Sequence, residues 1–232
     1  MTPNSDLAIA LSDGGVILTN FARRLERGYA VANTAEVSRY ALSFTSGSLL
    51  MREALIAAPI YLGEPDWAKV RQLIEADNRL QARTAATGQR LAREVTQRLA
   101  VLTDDEIKLI TEATSTERGH LLWVAACRRY RLIGEFADEV VRERLLLLTP
   151  TLDHDAFDTF LRSKALWHDE LNELKDSTLR KLRATVFRML TEAGLLDDGR
   201  IQPAALSPRI REVIPAHDIR YFPTTGDANE LG

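Results

Sequence analysis

The sequence predicts an all-α fold, a globular helical bundle, and three observations carry that expectation. From Tyr40 onward apolar residues recur at the three-to-four-residue spacing of helices. Capping residues open those runs and Gly or Pro closes many of them. The only stretch that reads as extended is Leu195 to Ile201, two short arms about Asp198-Gly199, so at most a short β-hairpin is expected.

Composition supports a globular reading. The 232 residues suffice for one substantial core or two small ones, and the 45% hydrophobic and 27% charged shares are ordinary. Ala54 to Leu62 and Leu145 to Leu148 are apolar but too short to span a bilayer, so no membrane partner is expected and the protein should be soluble. No secretory leader pattern opens the chain, and the single Cys127 lies inside the apolar run LLWVAAC. A disulfide framework is thereby excluded and a reducing, cytoplasmic location expected.

Taken in order, residues 1–39 read as an N-terminal arm or accessory helix, with Val16 to Ala30 carrying Arg23, Arg24 and Arg27. Residues 40–102 form an N-terminal helical domain. Thr45 or Ser46 is expected to cap a helix to about Leu62, and Asp66 caps a second with Trp67, Val70, Leu73 and Ile74 inward. After a connection with Thr84 and Thr87, a third helix runs to about Leu102, with Leu91, Val95, Leu99 and Leu102 inward and Gln89, Arg93, Thr96 and Gln97 outward, and Arg90 at the edge. The last two helices form a helix-turn-helix candidate with a long turn.

Residues 103–150 read as a helical hub. Asp104 begins one helix, Ser115 or Thr116 another, and the run from Gly119 to Leu148 contains Leu121, Leu122, Val124, Ala125, Ile133, Phe136, Val140 and Val141, with Trp123 and Tyr130 in the core. Arg128, Arg129 and Arg131 make a basic cluster, and Thr149-Pro150 ends the hub.

Residues 151–223 follow as a C-terminal domain. Asp153 or Asp155 caps a helix with Phe157, Phe160 and Leu161; Trp167 to Leu174 reads as a short helix joined by a turn to a longer one from Asp176. Asp176 or Ser177 is expected to cap that longer helix and Gly194 to end it. Leu179, Leu182, Val186, Leu190 and Ala193 make its apolar stripe; Lys181, Ala184, Thr185 and Arg188 lie opposite, with Arg180 at the flank. Helix, turn, helix, then hairpin is the order of a winged helix-turn-helix. Ser207-Pro208 starts a last short helix, and residues 224–232 read as a disordered tail.

Charge is unevenly spread. The net charge is -3, yet residues 174–191 hold five basic side chains and one acidic, and residues 71–101 hold six arginines against three acids. Arginine outnumbers lysine 25 to 5, which suits bidentate phosphate recognition. The candidate DNA-binding residues are therefore Gln89, Arg90, Arg93 and Gln97 of the first unit, Arg128 and Arg129 of the hub, and Arg180, Lys181, Thr185 and Arg188 of the second. Arg98 and Arg183 point to the apolar side of their helices and read as structural. The competing reading is that the same helices form a protein docking surface.

Catalytic patterns are missing. There is no phosphate-binding loop, dinucleotide glycine fingerprint or GxSxG elbow. His120, His154, His168 and His217 are scattered without ligand spacing, and the acids beside them fit capping and solvation. No catalytic residue, metal or cofactor is assigned, and a non-enzymatic role is expected.

The blocks YALSFTSGSLLMREALIAAPIYL, LLWVAACRRYRLIGEFADEVVRERLL and KLRATVFRMLTEAGLL, in this order, resemble the BrxA family of bacteriophage exclusion (BREX) defence systems. The resemblance spans roughly Tyr40 to Pro223. It implies a small all-helical DNA-binding accessory component, working beside a methyltransferase, an ATPase and other BREX subunits. The expected partners are double-stranded DNA and those subunits, with the protein itself a monomer.

Overall fold

The computed structural model describes residues 38–224 apart from Ser46. The accessory helix read over Val16 to Ala30, the cap at Ser46 and the tail from residue 225 lie outside the described residues.

The described chain is all-α, with a two-stranded hairpin near its C-terminal end. Its helices are α1 (Met51–Gly63), α2 (Trp67–Ala76), α3 (Ala85–Leu99), α4 (Asp104–Glu112), α5 (Ser115–Arg129), α6 (Arg131–Phe136), α7 (Glu143–Leu146), α8 (His154–Lys164), α9 (Asp169–Asn172), α10 (Asp176–Glu192) and α11 (Pro208–Val213). A π-helical turn over Ala137–Arg142 joins α6 to α7, and a 3-10 helix covers Ala216–Tyr221.

Most helix starts are written locally. Asp66, Thr84, Asp153 and Ser207 accept from backbone N–H groups at the starts of α2, α3, α8 and α11. Thr103 with Glu106, and Thr114 with Glu117, form full capping boxes at α4 and α5. Two expected caps fail. α1 begins at Met51, later than Thr45, because Leu50 adopts a left-handed φ of 61° and the preceding residues form a turn. α10 is preceded by Lys175 with no side-chain cap, so Asp176 and Ser177 lie in its first turn.

The centre is α5. Gly119 to Cys127 are buried without a break, so this helix is covered on all sides, as its apolar run LLWVAAC requires. It packs against α1, α3, α4, α6, α10, α11 and the 3-10 helix. Trp123 and Tyr130 are fully buried, and the Trp123 indole N–H donates to the Tyr221 carbonyl at 2.8 Å. The helical run from Gly119 to Leu148 is divided at Tyr130, whose φ of -120° and ψ of 94° are extended; beyond the break Phe136 meets Phe157 and Phe160. One hydrophobic core runs from Tyr40 to Phe222 through residues 40–102, 103–150 and 151–223 alike.

The hairpin pairs β1 (Leu196–Asp197) with β2 (Arg200–Ile201), Leu196 opposite Ile201. Asp198 and Gly199 take φ of 43° and 71°, the two positive values that a type I′ turn requires. Gly194 takes φ of 72° and ends α10 as expected. A third extended residue, unforeseen, joins the hairpin: Thr151 bridges to Arg200, with Leu152 N–H donating to the Gly199 carbonyl and Ile201 N–H to the Pro150 carbonyl at 2.8 and 2.7 Å. The short helix expected over Trp167 to Leu174 shrinks to α9, and Trp167 is 59% exposed.

Candidate nucleic-acid interface

α3 is packed by α1, α2 and α5, which cover more than half of its circumference and leave one narrow face open. Gln89, Arg90, Arg93 and Gln97 lie exposed on it. Thr96, expected outward, is 5% exposed, and its hydroxyl donates back to the Ala92 carbonyl at 2.8 Å. Arg98 is 2% exposed; its Nε donates to Glu94 Oε1 at 2.7 Å, the Tyr130 hydroxyl donates to the same oxygen at 2.6 Å, and its Nη1 reaches the Ser48 carbonyl. A buried, paired guanidinium of this kind holds structure and is closed to a ligand.

α10 packs on α5 and on β1, burying Leu182, Val186, Met189, Leu190 and Ala193. Arg180, Lys181, Ala184 and Arg188 are exposed along its outer face. Thr185 is not on that face. Only 4% exposed, it falls inside the buried stripe between Leu182 and Met189, a stripe wider than the arc of the apolar residues alone. Arg183 pairs with Asp158 of α8, a structural role consistent with its place beside the apolar stripe.

The hub cluster does not form a third face. Arg128 is held by Glu106 at 2.7 and 2.5 Å, by Asp218 at 2.8 Å and by the Val101 carbonyl at 3.0 Å, so its donor fork is occupied by buried partners and it is withdrawn as a DNA-binding residue. Arg129 lies half-buried with its guanidinium 5.2 Å from the Tyr130 ring centroid. Its Nη2 donates to Gln97 Oε1 at 3.3 Å, which adds Arg129 to the edge of the α3 face.

Arg98, Arg128 and Arg183, which turn inward beside these faces, are paired with carboxylates, whereas among the described residues Arg90, Arg93, Arg180, Lys181 and Arg188 make no ion pair. Burial pushes the Cys127 thiol well above the usual thiol range, so it stays protonated and unreactive. No group of three or more His, Cys, Asp or Glu is placed to hold a metal among the described residues.

The profile of the BrxA family matches residues 38–218, which takes in both exposed helix faces and the hub between them. The chain belongs to the BrxA family. It is 29% identical over 171 residues to the BREX protein BrxA of Escherichia coli O9:H4 strain HS, covering 72% of this chain and 80% of that one. The BREX protein BrxA of Paramagnetospirillum magneticum is 25% identical over 186 residues, covering 79% and 94%. A crystal structure of an uncharacterized protein from Magnetospirillum magneticum superposes with a TM-score of 0.66 at 24% identity, over 79% of this chain and 96% of that one, a likeness of fold. In this BrxA-family chain, no helix among the described residues is long and apolar enough to cross a membrane. Sequence reasoning passed over Lys175, exposed at the start of α10, and the polar contacts that seat the helix ends; the latter join residues far apart in the chain and leave no local signal.

Proposed function

We propose that the protein is a non-enzymatic, duplex-DNA-binding accessory component of a BREX phage-defence system, acting in the cytoplasm beside other BREX subunits. The observation that carries this is a contrast among named cations: Arg98, Arg128 and Arg183 are held by carboxylates, while Arg90, Arg93, Arg180, Lys181 and Arg188 on the outer faces of α3 and α10 make no ion pair. The order of α8, α9, α10 and hairpin, with Thr151 as a third extended residue, supports reading the C-terminal part as a winged helix-turn-helix with α10 as the groove-facing helix. α2 and α3 form the first unit. Binding is mainly to phosphates, since Gln89 and Gln97 supply the amides on these faces and the other binding residues are cationic. Kinship with the BREX proteins BrxA of two other bacteria supports the defence context.

The test is fluorescence anisotropy of a labelled duplex across salt concentrations. With about four to eight phosphates contacted, log K falls against log salt with a slope of roughly -4 to -7. A flat response, or no binding at micromolar protein in low salt, would leave the protein-docking reading in its place.

A further inference from the structure

We propose that the single peptide group between Ser48 and Leu49 is the joint that fixes the α3 and α10 faces as one rigid DNA platform, with Arg98 and Glu192 as its positioning residues; this rests on the DNA-binding reading above. The Ser48 carbonyl accepts from Arg98 Nη1 of α3, and the Leu49 N–H donates to Glu192 Oε2 of α10 at 2.9 Å. A trans peptide points its carbonyl and its N–H in opposite directions, so one rigid plane is gripped from both sides by the C-terminal ends of the two helices.

The joint is built on each side. Gly47 and Leu50 flank it with φ of 81° and 61°; the left-handed φ at Gly47 strains any side chain placed there, and its Cβ, 2.5 Å from Leu50 Cδ2, would push the Leu50 side chain aside. Leu49 and Leu50 are 1% and 5% exposed. Arg98 is itself held by Glu94, which Tyr130 holds in turn. Behind Glu192, the α10 backbone lies so close to α5 that a Cβ on Gly119 would be 3.2 Å from the Glu192 carbonyl oxygen.

Both DNA-facing surfaces begin beside the joint. Gln97 adjoins Arg98, and Arg188 lies one turn before Glu192 on the same side of α10. Play at the joint is therefore carried outward along helices of about 22 to 25 Å. Two faces held in fixed relation engage one duplex without the ordering cost that independent modules incur.

The experiment measures affinity for a hairpin-closed duplex of about 10 base pairs, one helical turn, and for one of about 30, long enough for both faces. Glu192→Ala is expected to weaken binding to the long duplex about tenfold and to leave the short one unchanged. Glu192→Gln, whose amide oxygen still accepts from the Leu49 N–H, keeps the parent's affinity for both. Because the two variants remove the same negative charge, the difference between them reads the hydrogen bond and not the electrostatics. Gly47→Ala should reproduce Glu192→Ala by displacing the turn, and circular dichroism melting checks that each variant is folded. An equal loss at both lengths, or no loss at either, overturns the joint. Failure of the parent to bind either duplex overturns the DNA reading and the platform together.

Discussion

Arg128 and Asp218 stand 90 residues apart in the chain, yet Nη2 and Oδ2 lie 2.6 Å apart, with Glu106 closing on the same guanidinium at 2.5 Å. Glu106 and Asp218 are 0% and 1% exposed, so this one arginine neutralises two buried carboxylates and ties the 3-10 helix to the hub.

Removing it should be costly. Arg128→Ala leaves two buried charges without their partner, and a loss of about 3 to 5 kcal/mol in chemical denaturation is expected. Arg128→Lys should recover only part, since an ammonium cannot serve both carboxylates through a planar fork. DNA affinity of the folded Arg128→Lys protein should match the parent, in keeping with its withdrawal from the interface.

Charge reversal on α10 is expected to act in the opposite way. Lys181→Glu with Arg188→Glu alters two exposed, unpaired side chains about two turns apart, so stability should hold while DNA binding falls and the salt slope shrinks by about one unit for each phosphate no longer engaged. Full-affinity binding by the folded double variant would sink the assignment of α10 as the groove-facing helix.

Leu182→Ala is the contrasting case. Leu182 is fully buried on the inner side of the same helix, so its truncation should cost about 2 to 5 kcal/mol through the cavity left behind. Urea denaturation monitored by tryptophan fluorescence reads this, and binding at a temperature where the variant is folded should be near the parent's.

Acid should weaken the fold partly through His120. Burial holds its imidazole below the ordinary histidine range, with the nearby Glu117 opposing that shift, and its ring meets Phe222 edge-on with centroids 5.4 Å apart. The folded state therefore favours the neutral ring, whereas the unfolded chain takes up a proton as pH drops through about 6.5. Its contribution is present above that pH and is lost as pH falls below it. His120→Phe should flatten the decline in urea midpoint between pH 7.5 and 5.5 relative to the parent; an unchanged decline would assign the sensitivity to other groups.

The helical class, most helix boundaries and the hairpin turn were legible in the residues themselves, because these depend on interactions within a few positions. Asp66, Asp153 and Ser207 cap the turns they begin, Gly194 ends α10, and Asp198-Gly199 makes the tight turn between its two short strands. Arg98 and Arg183 were legible as structural residues too, since each sits beside the apolar stripe of its own helix. The width of each buried stripe was not, because it is set by packing partners from distant parts of the chain, which leave Thr185 of α10 and Thr96 of α3 buried. Nor could local pattern separate Arg128 from its neighbour Arg129. Their difference is made by Glu106 and Asp218, carboxylates that only the folded chain brings to one guanidinium, and by the low-dielectric interior in which a charge must find its partner.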